Sequence, residues 1–500
     1  MSEWLALPVG APLLAAGLSI LARRQLGVQR IVGFATVVGV LVYAVALVGR
    51  TAQGEVLASR IGDWPAPFAI TFAADTFSAL MVLIASSMVI ACMAFAAAAG
   101  EDEVMLFYPL SLVLTAGVCG AFLTADLFNM FVFFEVMLIA SYVLLTIDGT
   151  WAQVRGGAVY VATNLFASTL FLIGIAFMYG ATGSVNMAQL AGLDLSSAGA
   201  VVAGALLFVA FGIKGSLAPV HGWLPSAYPR ARRGVAALFS GLLTKVGIYA
   251  LFRVVAIVYD GDPRFLPVLL LAAGTTMVVG VMGAIGRTTM REILSFHIVS
   301  QVGYMVMGLA LFTSLGLAGG IFYILHHIIV KTSLFLSAGA VETLEGTGRI
   351  DHLGGLARRY PIVAVAFMVS ALSLAGVPPL SGFVAKLTLV RAAFDQSSFA
   401  IAGVAVAVSF FTLFSMVKIW NGVFWGETVS SAVGVRRAQQ VVAVGGGSRV
   451  STVAVAAPAL ALAIAAVMIG VWPEPLLVLS RAAADSLIDA SGYVRAVLGS

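Results

Sequence analysis

Five lysines carry the strongest chemical signal in this 500-residue sequence, because each lies inside a stretch apolar enough to cross a membrane. The basic residues of the connecting loops are all arginine. Arginine stays charged in any protein setting, whereas a desolvated lysine can lose its proton. A charge at bilayer depth costs at least about 2.5 kcal/mol on insertion scales, so retaining five lysines there indicates proton movement. They are Lys214, Lys245, Lys331, Lys386 and Lys418.

Glu135 is the acid that belongs with these lysines. It stands in the apolar run FVFFEVMLI, where Asn129 is the one polar neighbour within several residues. A carboxylate there must be protonated, paired with a cation on another helix, or in contact with water. Lys214, five residues before Pro219, is its expected partner, and the pair would act as a two-state proton switch. Alternatively, the pair only locks two helices together, or Lys214 snorkels to the interface.

Further titratable side chains could extend such a switch into a relay. His327 and Lys331 are four residues apart and share a helix face. Imidazoles and amines in series can pass protons through bridging waters, although an intramembrane histidine can also serve only as a hydrogen bonder between helices. The predicted relay comprises Glu135, Lys214, Lys245, His297, His326, His327, Lys331 and Lys386, with His221 and Lys418 as further candidates. Lys418 lies near the end of its span and could equally be an anchor.

The composition determines which elements must position these residues. With 61% hydrophobic residues, 10% charged residues and a mean hydropathy of +1.07, the chain cannot be a soluble domain. Apolar runs recur along most of its length and predict an all-α membrane protein with about fourteen transmembrane helices. The third span is expected to begin near Phe72, and Asp75 and Asp126 are expected to be interfacial helix caps.

A repeat in the middle of the chain organises these spans. Glu135 and Tyr142 are echoed by His297 and Tyr304, at an offset of 162 residues. Further matches follow in the same order: Gly156, Tyr160 and Asn164 with Gly319, Tyr323 and His327, then Pro219 and Gly222 with Pro379 and Gly382. Each copy holds five spans, an odd number, so the copies would be inverted relative to one another. Pro219, Pro378 and Pro379 predict discontinuous helices 7 and 12.

The predicted organisation has four parts. Residues 1–103 form an N-terminal three-helix segment, 104–260 the first five-helix repeat, 261–426 the second, inverted repeat, and 427–500 a loop, the last transmembrane helix and a C-terminal tail. The arginines gather in the loops of one side, Arg436, Arg437 and Arg449 among them, which predicts a multi-pass protein with both termini outside. Because the arginines are scattered over short loops, the net charge of +5 does not indicate a nucleic-acid partner.

Motifs for other kinds of chemistry are missing from the sequence. It has no P-loop, no GxGxxG after a strand, no CxxC, and no GxSxG or HExxH. Cys92 and Cys119 lie in apolar spans without metal-ligand spacing. We therefore expect no cofactor, no metal and no enzymatic activity, and energy from an ion gradient or a partner protein. An intramembrane enzyme would need a convergent nucleophile or metal set.

Three motifs resemble the proton-conducting antiporter-like family: residues 133–136 (FFEV), 214–225 (KGSLAPVHGWLP) and 326–331 (HHIIVK). This family includes the large membrane-arm subunits of respiratory complex I, related hydrogenases and the Mrp cation/proton antiporters. Residues 62–68 (GDWPAPF) and 126–129 (DLFN) are most similar to the D-type subunits of the Mrp antiporters.

The resemblance implies roles and partners. It places the acid and lysine of the switch on Glu135 and Lys214, and the later relay on Lys245, His327, Lys331 and Lys386. It implies subunits of the A, B, C, E, F and G types as partners in a bacterial cell membrane, with protons crossing here and Na+ handled by a neighbouring subunit. Two alternatives stay open: a proton-pumping subunit of a complex I or membrane hydrogenase, and a membrane scaffold with purely structural charges.

Overall fold

The protein is mostly helical in a computed structural model, which describes residues 2–64, 70–426 and 451–499. Several features of the sequence lie outside the described residues: part of the 62–68 motif, and Arg436, Arg437 and Arg449 of the predicted loop.

The first half of the chain runs from the N-terminus to the end of the tenth helix. A β-hairpin interrupts its helices after α2. In chain order the elements are α1 (Leu7–Leu21), α2 (Leu26–Thr51), β1 (Leu57–Arg60), β2 (Thr71–Ala74), α3 (Thr76–Ala99), α4 (Phe107–Leu123), α5 (Leu127–Leu145), α6 (Trp151–Thr182), α7 (Met187–Leu190), α8 (Ala198–Gly215), α9 (Trp223–Ala227) and α10 (Arg233–Arg253).

The second half consists of helices joined by short connections in its described residues. In chain order its elements are α11 (Leu266–Ile285), α12 (Met290–Ala310), α13 (Ser314–Glu345), α14 (Leu356–Arg359), α15 (Pro361–Ala375), α16 (Ser381–Asp395), α17 (Phe399–Ile419), α18 (Thr452–Val471), α19 (Glu474–Ile488) and α20 (Ser491–Leu498). The amphipathic helices α19 and α20 were not predicted from the sequence.

Within the described residues, eleven helices are long and apolar enough to cross a membrane. Three shorter apolar helices, α1, α4 and α15, accompany them. The sequence-based prediction of a polytopic helical membrane protein is therefore confirmed.

The predicted start of the third span is wrong. Residues 71–74 form strand β2, which pairs antiparallel with β1 so that Leu57 lies opposite Ala74. Helix α3 begins only after Asp75, whose side chain accepts a hydrogen bond from the Ser78 amide while the Ser78 hydroxyl accepts one from the Asp75 amide. This capping box satisfies amides of the first turn and fixes the helix start there.

Two helices are broken near the prolines, as predicted. Helix α8 ends at Gly215, and Ser216 adopts a left-handed conformation with φ 65° before the chain reaches Pro219. Helix α15 ends at Ala375, and Gly376, with φ 92°, precedes Pro378 and Pro379. Because proline lacks an amide donor, neither helix can continue with regular hydrogen bonding.

Helices α10 and α13 form the centre of the molecule, and the apolar segment of each is completely buried. Helix α13 packs against α10, α12, α15, α16 and α18. In the peripheral helices α2 and α17, most residues of the apolar segment are not buried. The two innermost helices are also those that carry Lys245, His327 and Lys331, so these charges are surrounded by protein.

A buried ion pair lies at the end of α10. The Arg253 guanidinium donates to both carboxylate oxygens of Asp75, each at 2.5 Å, and to the Tyr249 hydroxyl at 2.8 Å. The ring of Tyr493, on the C-terminal helix α20, lies 5.7 Å from the guanidinium carbon. Asp75 is a helix cap as predicted, and α20 packs over the hairpin and helps to bury it.

Candidate functional site

Glu135 lies in the third turn of α5, a helix capped by Asp126, whose carboxylate accepts from the Asn129 amide at 2.7 Å. The Glu135 carboxylate accepts a short hydrogen bond from the Ser168 hydroxyl of α6. Glu135 is half-buried, and Ser168 is 5% exposed. The acid is therefore held by a neutral side chain from the neighbouring helix.

Lys214 occupies the last turn of α8, directly before the break. Its ammonium donates to the Ser168 hydroxyl at 2.9 Å and lies 5.1 Å from the centre of the Phe134 ring. In the described part of the chain, Ser168 thus stands between Lys214 and Glu135. The two predicted partners therefore come together, but Ser168 of α6 links them where a direct salt bridge would otherwise form.

Lys245 is completely buried in the middle of α10. Its ammonium donates a short hydrogen bond to the Ser240 carbonyl of the same helix. Among the described residues no acidic side chain pairs with it. The hydrogen bond of this buried amine in the described structure is therefore to the backbone and not to an acid.

His327 and Lys331 project from α13 into the same interior. Lys331 donates to the Leu294 carbonyl of α12 at 3.0 Å. Neither ring nitrogen of His327 has a hydrogen-bond partner among the described residues, although the ring is completely buried. Buried polar atoms normally have partners, so His327 is a candidate for contact with bound water.

His297 and His326 each contact a serine of another helix. His297 Nε2 lies 2.9 Å from the Ser415 hydroxyl on α17. His326 Nδ1 lies 2.8 Å from the hydroxyl of Ser381, the first residue of α16. In both rings the other nitrogen has no partner in the described chain. Each histidine therefore links two helices and keeps one nitrogen free for a further hydrogen bond.

Lys386 bridges the two segments of the second broken helix. It projects from α16, and its ammonium donates to the Ala375 carbonyl, the last residue of α15, at 3.0 Å. The ammonium also lies 4.8 Å from the centre of the Tyr304 ring. Like Lys214, Lys386 therefore lies beside a helix break and close to an aromatic ring.

Lys418 does not join these groups. Its ammonium donates to the carbonyls of Ile285 and Arg287 at 2.9 and 2.7 Å, at the C-terminal end of α11. Cations at this position satisfy free carbonyls and complement the helix dipole. Lys418 therefore caps the C-terminal end of α11. His221, beside the first break, is half-buried, with Nδ1 unpartnered among the described residues.

An open, charged basin of about 860 Å³ lies at one end of the helix bundle. Partial burial pushes the pKa of Asp148 up, but the ion pair with Arg232 and the hydrogen bond from Gln153 hold that pKa below its usual range. Five arginines line the basin, Arg230, Arg232, Arg233, Arg291 and Arg349, and ion pairs join Arg232 to Asp148, Arg233 to Glu101 and Arg291 to Glu342.

The serines were the functional candidates missed by sequence reasoning. Tyr160, Asn164 and Ser168 recur at intervals of four on α6, and this polar stripe could have identified Ser168. No such stripe predicts Ser381 or Ser415. Each contacts a histidine on another helix, and the packing of the two helices brings them together. Among the described residues no group of histidine, cysteine or acidic side chains could hold a metal ion.

Fold and site together define a polytopic α-helical membrane protein with ionisable side chains along its core and two helices broken beside them. The family described as NADH:quinone oxidoreductase/Mrp antiporter, TM, matches residues 124–412, and the chain belongs to this family.

Individual relatives agree with this assignment. The chain is 43% identical to the D-type subunit of the Na(+)/H(+) antiporter of Alkalihalophilus pseudofirmus over 504 residues, covering 100% of both chains. It is 36% identical to the protein of the same name from Bacillus subtilis, covering 85% of this chain and 88% of that one. A chain in the structure of the Mrp complex from Dietzia sp. DQ12-45-1b is 44% identical and superposes with a TM-score of 0.94, covering 100% of this chain and 99% of that chain.

Proposed function

We propose that this chain is the D-type, proton-translocating subunit of a multi-subunit Na+/H+ antiporter. One observation carries the proposal: four nearly or fully buried lysines lie in the core of a chain 43% identical to a protein named as the D-type subunit of a Na(+)/H(+) antiporter. Structural lysines would be paired with acids, because an unpaired buried charge is costly. Here Lys245, Lys331 and Lys386 donate to backbone carbonyls, an arrangement that suits groups which change protonation.

Protons would move through these groups in sequence. Glu135 and Lys214 form the switch in the first half, and Lys245 passes the proton toward the centre. His327 and Lys331 then continue the relay, with His297 and His326 beside it, and Lys386 ends it. The unpartnered nitrogens of His327 support this order, because bridging waters could connect them to neighbouring amines.

The topology we propose has fourteen spans, with α8 and α9 as broken helix 7 and α15 and α16 as broken helix 12. Two inverted five-helix repeats would occupy residues 104–260 and 261–426, after the 1–103 segment and before the 427–500 segment. Matched contacts support the repeat: the rings of Tyr142 and Tyr160 lie 5.3 Å apart, and those of Tyr304 and Tyr323 lie 5.1 Å apart.

Partners and location follow from the same proposal. Subunits of the A, B, C, E, F and G types would complete the antiporter in a bacterial cell membrane, and a neighbouring subunit would handle Na+. The arginine-lined basin would face the cytoplasm and both termini the outside. The chain would act as a transporter subunit and not as an enzyme.

The test is sodium-dependent proton movement in inverted vesicles from an antiporter-deficient host that expresses this chain with its partner subunits. We expect Na+ addition to dissipate an imposed pH gradient, and vesicles lacking this one chain to show no response. Proton movement that followed quinone reduction and ignored Na+ would instead favour a complex I type of pump. A complex that assembles but moves no protons under either condition would favour the scaffold.

A further inference from the structure

The contact between Lys214 and Glu135 passes through a side chain to which the relay described above gives no role. We propose that the Ser168 hydroxyl carries the proton between Lys214 and Glu135. This inference rests on the proposed function, because it concerns a step in the same proton path.

The direction of each hydrogen bond is fixed by the groups involved. A charged lysine has three donors and no acceptor, so the Ser168 oxygen must accept from Lys214. An ionised carboxylate can only accept, so the one hydroxyl hydrogen of Ser168 is directed to Glu135. Every hydrogen in the chain from nitrogen to carboxylate is thus oriented toward the acid before any transfer begins.

Transfer through this chain conserves atoms and charge. The Ser168 oxygen takes a proton from the Lys214 ammonium, breaking an N–H bond, while its own O–H bond breaks and the proton joins a Glu135 carboxylate oxygen. Lysine and glutamate end neutral, and the serine is unchanged apart from exchanging one hydrogen for another. Because serine holds no charge in either end state, it connects the two groups without adding a third charge.

A bridging water is not needed at this point. The Ser168 hydroxyl contacts both the Lys214 ammonium and the Glu135 carboxylate, so the hydrogen-bonded chain between them is made of side chains alone.

The repeat gives an independent reason to assign a role to this position. Tyr160 and Asn164 correspond to Tyr323 and His327 in the repeat. The same offset of 163 residues makes Lys331 the residue that corresponds to Ser168. In the second half that position carries one of the relay lysines. A neutral hydroxyl there in the first half adds no third charge to Glu135 and Lys214 at the switch.

Ser168→Ala tests the proposal in the assembled complex. We expect the maximal rate of Na+-dependent proton movement to fall about tenfold to hundredfold, as for losing one hydrogen bond to a charged group, with the KM for Na+ unchanged. Ser168→Thr retains the hydroxyl and should recover most of the rate. Ser86→Ala is the matched control, because that buried serine bonds only to carbonyls of its own helix, and it should behave as wild type.

Immunoblots of the purified complex would establish that each variant assembles. If Ser168→Ala fails to assemble, Ser168→Cys replaces it as the test of the hydroxyl. A thiol is similar in size but is a weak hydrogen-bond partner, so this variant should also transport slowly. Full transport in Ser168→Ala or Ser168→Cys would overturn the role of the hydroxyl, as would a failure of Ser168→Thr to exceed Ser168→Ala. If the wild-type complex itself showed no Na+-dependent proton movement, the proposed function would fail, so the two failures are distinguishable.

Discussion

Arg253 and Asp75 form a bidentate ion pair inside the protein, with each side chain 2% exposed. Helix α10 ends at Arg253, and α3 begins just after Asp75, so the pair joins two core helices at the end opposite the arginine-lined basin. Helix α20 places Tyr493 against the guanidinium. The contact therefore connects the first half of the chain with its C-terminal helix.

Removing one partner of this pair should destabilise the protein strongly. Arg253→Met would leave the Asp75 carboxylate buried without a cation, a change that typically costs about 3 to 5 kcal/mol. We expect a clear fall in the thermal unfolding temperature of the purified complex. Arg50→Met is the control, since the exposed pair of Arg50 with Glu55 should contribute nothing measurable. An unchanged unfolding temperature in Arg253→Met would contradict the assigned role.

Glu135 and Lys214 should be essential for transport and dispensable for assembly. Glu135→Ala or Lys214→Ala removes one end of the Ser168 bridge, so the switch can no longer hold two states. We expect Na+-dependent proton movement in inverted vesicles to fall to background, with normal amounts of the complex. Lost assembly with either variant would instead indicate a scaffold role, and normal transport would refute the switch.

Substitution of Lys386 tests whether this position needs an amine that can lose its proton or only a fixed positive charge. Lys386→Arg keeps a cation near the Ala375 carbonyl and the Tyr304 ring, but a guanidinium does not release its proton in proteins. Transport should therefore be lost although the complex assembles. Full activity of Lys386→Arg, measured in the same vesicles, would show that a permanent charge is sufficient.

Lys418 should behave differently from the four core lysines. Lys418→Ala removes the cap on the C-terminal carbonyls of α11, which is expected to cost about 1 kcal/mol or less. We expect near-normal proton movement and a small decrease in unfolding temperature. A complete loss of transport with an intact complex would place Lys418 in the relay after all.

Much of the fold could be predicted from the sequence because the bilayer imposes it. Apolar runs of sufficient length must become helices, since backbone polar groups cannot remain unsatisfied in hydrocarbon. The breaks near Pro219 and Pro379 followed from the missing amide donor in the same way. The pairing of strands β1 and β2 was missed because β2 continues directly into an apolar helix, and hydropathy does not mark the change.

The sequence by itself determined which charges lie within apolar stretches, where a retained charge is costly. Only the tertiary structure decided what each one contacts. Ser168 lies between Lys214 and Glu135 because α6 packs against α5 and α8, and Lys418 caps α11 because α17 lies beside it. Helical periodicity fixes which residues of one helix share a face, but the meeting of two faces depends on packing between segments far apart in the chain.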